Sequence, residues 1–323
     1  MRRRGIIAAA AAVCTAAASR RGVAQERMAR IGLLRASPPQ PRDFASFTSG
    51  LAELGHVVGR NIEIVVRHAG GDLSRLPALA REIAASSPAL VVVDGSDAVR
   101  AMRQAAPTLP IIFTVVSDPV ASGFAQSLAR PGGNLTGLST IARDLIGKRL
   151  SLLIEAVPTI RRIAILIQPG NSVPAQLAEF TAAAARLGLQ EALIEATTPA
   201  EIEAAFDRLA GDPPDAIFTF TSALFFGERA RIVARANALR RPQIYPEREF
   251  VEAGGLMSYG VDFEVLWRRA AYFVDRILKG AQPGDLPIEQ PVKLLLTVNA
   301  KTARALGLTL PPAILLQADE VIE

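Results

Sequence analysis

The sequence predicts an α/β chain of two doubly wound lobes joined by a hinge, and three observations carry that reading. Short apolar segments of strand type alternate with helical patterns along the whole chain, as in parallel sheets covered by helices. Runs such as Leu90-Val-Val-Val93 are apolar at every position, which suits strands buried on both faces. Residues 91–139 are also echoed in plan by 217–260.

The first series of strands is expected at 30–34, 62–66, 89–93, 111–116 and 135–138. A second series follows at 162–167, 189–194, 216–220, 243–245 and 256–258. Helices are expected between them at 43–54, 76–85, 145–157, 173–187 and 224–239. In 145–157 the residues Ile146, Leu150, Leu153 and Val157 recur at helical spacing. The echo runs strand, Ser96, helix, Pro110-Ile-Ile-Phe, Ser117-Asp118, then Gly132-Gly133 and a strand. Its counterpart runs strand, Ser222, helix, Pro242-Gln-Ile-Tyr, Glu247, then Gly254-Gly255 and a strand. The spacings differ, so the similarity is one of architecture. After Tyr259-Gly260, a helix over 264–279 carries Leu266, Ala270, Phe273 and Ile277 on one face. A proline-rich crossover, 282–291, then leads to a last strand at 292–298.

The 323 residues suffice for two ordinary domains, half of them apolar and 21% charged, a globular composition. A net charge of +5 invites a nucleic-acid reading. Five of the 36 basic residues, however, lie among the first 24, where there is no acid, leaving 31 basic against 31 acidic. No footprint for a polyanion survives that removal.

Residues 1–24 read as a secretory signal peptide cleaved near Ala24. They hold a basic start at Arg2-Arg-Arg4, an apolar run of about 14 residues, too short to span a bilayer, and small residues at Gly22-Val-Ala24. The arginines leave Sec and twin-arginine export both open. The single cysteine, Cys14, lies inside this segment, and Val13 before it departs from a lipoprotein cleavage box. The exported chain would then have no disulfide, thiolate zinc site or thiol nucleophile.

Enzyme signatures are missing from the sequence: no G-x-G-x-x-G follows a strand, and neither a Walker A loop nor a G-x-S-x-G elbow occurs. His56 and His68 lack metal-ligand spacing, and His56 reads as a loop residue after a helix end. Neither a catalytic residue, a metal nor a cofactor is expected. What remains is a set of polar residues at the ends of expected strands, where open α/β sheets bind ligands. Ser96, in Asp94-Gly-Ser-Asp97, would start a helix whose backbone N–H groups suit a carboxylate or phosphate, or would be an ordinary cap. The candidate ligand-binding residues are Ser37, Ser96, Asp97, Ser117, Asp118, Asn171, Ser222, Tyr245, Glu247 and Tyr259. Phe44, Phe225, Phe226, Tyr245 and Tyr259 are candidates to stack on a ligand, with core packing the alternative for Phe44 and Phe225.

Several segments carry a family resemblance: Leu54-Gly-His-Val-Val-Gly-Arg-Asn61, Leu128-Ala-Arg-Pro-Gly-Gly-Asn-Leu-Thr-Gly-Leu138, Gly147-Lys-Arg-Leu150, Arg248-Glu-Phe-Val-Glu-Ala-Gly-Gly-Leu-Met-Ser-Tyr-Gly260 and Ala318-Asp-Glu-Val-Ile322. In this order they resemble the ABC transporter substrate-binding proteins with tryptophan- and tyrosine-binding members. The resemblance implies a type I periplasmic-binding-protein fold of two Rossmann-like lobes joined by three crossovers. It places 28–139 with 259–286 in lobe one, and 140–258 with 287–323 in lobe two. It further implies a ligand carboxylate at Ser96 and Ser117 and an amine at Glu247.

The first strand-end loop is acidic here, through Asp94 and Asp97, where the family commonly has small neutral residues; Tyr245-Pro-Glu247 is a second departure. With Asp118 these place four carboxylates near the cleft, so the ligand is expected to carry an amine, unless Arg35 and Arg248 neutralise the acids. The implied role is the periplasmic receptor of an ABC importer, a monomer capturing an amino acid or an aromatic or organic acid for an inner-membrane permease and its ATPase. The alternative is a periplasmic sensory protein presenting its ligand to a receptor kinase.

Overall fold

The computed structural model describes residues 28–170 and 173–323. The proposed signal peptide, with Cys14, lies outside the described residues, as does Asn171.

The first sheet is built from β1 (Ala29–Arg35), β2 (Ile62–His68), β3 (Leu90–Asp94), β4 (Ile111–Val116) and β5 (Leu135–Ser139). Its order is β2-β1-β3-β4-β5, every pair parallel. Because side chains alternate across a strand, Ile31, Leu33 and Val92 point to one face and Leu34, Val91 and Val93 to the other. The first face is covered by α1 (Pro41–Glu53) and α10 (Phe263–Leu278), the second by α2 (Leu76–Ala85) and α3 (Ser96–Ala105). All five residues of β3 are buried, as its continuous apolar run requires. Gly50 lets α1 lie against α10: a Cβ there would fall 2.6 Å from the Arg268 carbonyl oxygen.

The second sheet contains β6 (Arg162–Ile167), β7 (Gln190–Glu195), β8 (Ala216–Thr219), β9 (Gln243–Tyr245), β10 (Met257–Val261), β11 (Leu294–Asn299) and β12 (Glu320–Ile322). Its order is β12-β11-β10-β9-β8-β6-β7, parallel except for the antiparallel pair β10–β11. On one face lie α4 (Ile146–Ala156), α5 (Val173–Arg186), α11 (Ala300–Leu306) and α12 (Pro312–Gln317). On the other lie α6 (Pro199–Gly211), α7 (Ala223–Gly227), α8 (Arg229–Ala238) and α9 (Arg248–Glu252).

Three details differ from the sequence reading. The single helix expected at 224–239 is two helices, α7 and α8, meeting at Glu228. Tyr259 is not at a crossover: it sits inside β10, bonded in the second sheet, and the chain passes to the first lobe only at Asp262. On the return, Glu289 still pairs with Leu138 of the first sheet, its N–H donating to the Gly137 carbonyl at 3.0 Å. By these pairings Tyr259–Val261 lie in the second sheet and Glu289 lies beside the first. Both shifts arise from long-range strand pairing, which local periodicity does not report. Among the described residues, no helix is long and apolar enough to cross a membrane.

Candidate functional site

In each sheet the first strand has the next two strands of the chain on its opposite sides, so the winding reverses there, and ligands of open α/β sheets bind beyond the carboxyl ends of strands at such a point. These strands are β1 in the first lobe and β6 in the second, and their ends face each other. Between them lies a cleft with about 970 Å³ of empty space, its opening to solvent included.

The first lobe contributes a charged cluster. Arg35, the last residue of β1, is buried and bonds two acids: its Nη2 donates to Asp43 at 2.7 Å and its Nε to Asp94 at 3.1 Å. Its guanidinium stacks on Trp267, 4.4 Å from the ring centre. Ser37 Oγ donates to the same Asp94 oxygen at 2.7 Å. Burial raises the pKa of Asp43 while Arg35 pulls it back. Helix α3 begins beside this cluster after Gly95, whose φ of 96° is left-handed, and no side chain caps its first N–H groups. Ser96 and Asp97, in its first turn, both line the cleft.

The second lobe supplies Gln168, Ser222 and Glu247, which follow β6, β8 and β9. Ser222 caps α7 by accepting from the Phe225 N–H, and its hydroxyl donates to Gln168 Oε1 at 2.6 Å. Gln168 Nε2 in turn donates across the cleft to the Gly71 carbonyl at 3.3 Å. Glu247 is only 3% exposed, and no group among the described residues donates to its carboxylate. Burial holds that carboxyl well above the usual carboxylate range, against the attraction of Arg149. Arg149 is buried on α4, its pKa brought down to about 10 by desolvation, and its Nε donates to the Tyr259 carbonyl at 2.7 Å. Leu73, Val115, Val173, Phe226, Phe263 and Trp267 make the rest of the wall apolar.

The lobes touch. Arg42 bonds Glu252 at 2.9 Å, and Arg248 bonds Glu264 at 2.9 Å, each pair joining one lobe to the other. At Gly71, with φ of +91°, a Cβ would fall 2.8 Å from the Leu224 Cα of the opposite lobe.

Of the expected site residues, Ser37, Ser96, Asp97, Ser117, Ser222 and Glu247 line this cleft. Ser117 Oγ is occupied as an acceptor from the Arg143 N–H at 3.0 Å. Asp118 is instead a turn residue: it accepts from the Ala121 N–H at 2.9 Å and pairs with Arg143 at 3.1 Å. Tyr245 is fully buried in the second lobe, stacked on Phe250 with ring centres 4.6 Å apart. Tyr259 acts through its carbonyl, on Arg149. Phe225 belongs to the core, and Phe44 is 36% exposed and outside the cleft wall. Of the four expected carboxylates, Asp94 and Asp118 are thus paired with arginines, and Arg248 is engaged with Glu264 and Glu252.

The sequence reading missed Asp43, Thr140, Gln168, Gln176, Phe263 and Trp267 in the wall, found Phe226, and took Arg35 only as a neutralising charge. Arg35, Thr140 and Gln168 lie at strand ends, so the strand-end rule could have found them. Phe263 and Trp267 are four apart on α10, a spacing shared by any core-facing pair.

Comparisons with known proteins fit this geometry. A family model for the ABC transporter substrate-binding proteins matches residues 41–322. A tyrosine-binding protein of Clostridioides difficile (strain R20291) is 26% identical over 263 residues, 81% of this chain and 75% of that protein. A solved conserved domain protein from Vibrio cholerae O1 biovar El Tor superposes with a TM-score of 0.85 at 26% identity, covering 91% of this chain and all of that one. The ABC domain from Streptococcus pneumoniae in complex with L-Trp superposes with a TM-score of 0.82 at 26% identity, covering 91% of this chain and 99% of that one. The two-lobed architecture is the type I periplasmic-binding-protein fold.

Proposed function

Because the chain belongs to the family of ABC transporter substrate-binding proteins, we propose that it is the extracytoplasmic receptor of an ABC importer. It captures a small organic molecule carrying an amine, of the amino acid type, and delivers it to a membrane permease served by a cytoplasmic ATPase. The observation that carries the amine is Glu247, a buried carboxylate facing the cleft with no donor among the described residues. Such a group is costly to bury ionised and alone, and a ligand ammonium removes that cost. Tyrosine and tryptophan, named for the relatives, are molecules of this class.

Capture works by closure. The ligand enters between open lobes, and contacts from both lobes favour the closed form over the open one. The apolar wall takes the ligand's body and the polar strand ends fix its orientation. No bond is made or broken by this chain. Residues 1–24 serve as the export signal, cleaved near Ala24, and the mature protein acts in the periplasm as a monomer.

Thermal unfolding of the purified protein against a panel of amino acids, amines and organic acids tests this reading. A ligand at a hundred times its dissociation constant adds about 2.7 kcal/mol, raising the midpoint by several degrees. A shift with amine-bearing compounds supports the proposal. Shifts with carboxylic acids lacking an amine, and with nothing else, contradict it.

A further inference from the structure

Three stretches of chain join the lobes, after β5, after β10 and before β11, and an unusual backbone conformation marks the first. Ile141, two residues past the end of β5, has φ of +46°. A β-branched side chain in the left-handed region crowds its own backbone, so this is strain rather than a turn preference. Among the described residues, the other non-glycine residues with positive φ are Ser87 and Arg240. Each stands two residues past the end of a helix, α2 or α8, where a left-handed residue is a common way to terminate. Ile141 ends no helix.

The residue is held from both sides. Toward the first lobe, the Thr140 N–H donates to the Val116 carbonyl at 2.9 Å, and the Ile141 N–H donates to Ser139 Oγ at 3.2 Å. Toward the second, the Ile141 carbonyl accepts from the Asp144 N–H at 3.0 Å and the Leu145 N–H at 3.3 Å, and Leu145 and Ile146 are buried. The Arg143 N–H reaches back to Ser117 Oγ at 3.0 Å, which pins the turn in this position. The dihedrals of Ile141 thus help set the angle at which the chain enters the second lobe. In this structure the lobes are in contact, at Arg42–Glu252, Arg248–Glu264 and Gly71–Leu224. Thr140 and Ala142, on either side of the strained residue, both line the cleft.

We infer that Ile141 is a strained pivot: its left-handed backbone belongs to the closed form and relaxes as the lobes part. The strain works against closure, and contacts made by a ligand in the cleft hold it in place. When the ligand leaves, the strain favours reopening, so the device trades tight retention for release. This inference rests on the capture-by-closure reading above and is independent of the ligand's amine.

The test needs no ligand. Energy transfer between one dye on each lobe reads the ratio of closed to open forms in the purified, ligand-free protein. Ile141→Gly takes up the left-handed backbone freely and Ile141→Asn at reduced cost, whereas Ile141→Val keeps the branch and the strain. The closed-to-open ratio should rise about fivefold or more in Ile141→Gly, rise less in Ile141→Asn, and stay at the parent's value in Ile141→Val. The asparagine variant separates relief of strain from the added freedom of glycine, which alone favours the open form. Equal ratios in all four proteins would overturn the inference and leave capture by closure standing, because the turn would then carry its strain unchanged through the motion. A ratio that falls in both Ile141→Gly and Ile141→Asn would overturn it too. A single interlobe distance in every protein, with no opening, would overturn it together with the closure reading.

Discussion

Arg42 of the first lobe and Glu252 of the second meet across the lobe boundary, one Arg42 nitrogen lying 2.9 Å from one carboxylate oxygen and 3.1 Å from the other. The pair joins residues of different lobes, so in the proposed capture by closure it favours the closed form rather than the stability of either lobe. Arg42 is well exposed, and an exposed pair is worth only about 0.5 kcal/mol. Arg42→Ala should therefore weaken ligand binding about two- to threefold, more so at low salt than at high, with an unchanged melting temperature for the ligand-free protein. Calorimetric titration at two ionic strengths checks this.

Gly71 sets a harder limit on closure. Its Cβ position falls 2.8 Å from the Leu224 Cα and 3.2 Å from the Leu224 nitrogen, both backbone atoms of the other lobe. Gly71→Ala should hold the lobes apart and weaken binding at least tenfold. The left-handed backbone would add a stability loss of about 1–2 kcal/mol. Small-angle X-ray scattering with saturating ligand should then show no contraction in the variant, whereas the parent protein contracts.

Arg35 is structural before it is anything else. Removing it leaves Asp43 and Asp94 buried without their cation, a loss of about 3–5 kcal/mol for a broken buried pair. Arg35→Leu should lower the melting midpoint by roughly 6–20 °C. Asp94→Asn in the same chain should restore part of that loss, because one stranded charge is gone.

Glu249 makes stability depend on pH. Burial pushes its pKa up to about 7, with Asp43 and Glu252 adding repulsion, and its Oε2 has no hydrogen-bond partner among the described residues. The folded protein therefore holds this proton more tightly than the unfolded chain does. The resulting stability is complete below the ordinary carboxylate range near pH 4.5 and is lost as pH rises through about 7. Glu249→Gln should flatten that fall, by about 1–3 kcal/mol between pH 4.5 and 8. Urea midpoints across this range decide the sign, and a parent protein that gains stability from pH 5 to 7 through this residue would contradict it.

The architecture was legible where the physics is local. The run Leu90-Val-Val-Val93 suits a strand covered on both faces, and β3 is one. Leu145–Val157 showed its helical spacing, and α4 occupies 146–156. The antiparallel placement of β11, the short β12 and the extension of β10 to Val261 were not legible, because they depend on which distant strand supplies the partner. The same holds for the site. Strand-end position found Ser96, Ser222 and Glu247, but it does not tell a side chain in the cleft from one in the core, as Tyr245 shows. Nor does sequence say which acid meets which arginine: Asp94 and Asp97 stand three residues apart, yet Arg35 bonds Asp94.

The central claim is that the cleft between the lobes binds an amine-bearing ligand through Glu247. Its most direct test is the dissociation constant of Glu247→Gln for the panel amine giving the parent protein its largest thermal shift. Binding at least tenfold weaker is expected, with a ligand-free melting temperature equal to or above the parent's, since a buried ionisable group has been replaced by a neutral one. Equal affinity in the two proteins would place the ligand's amine elsewhere and contradict the account.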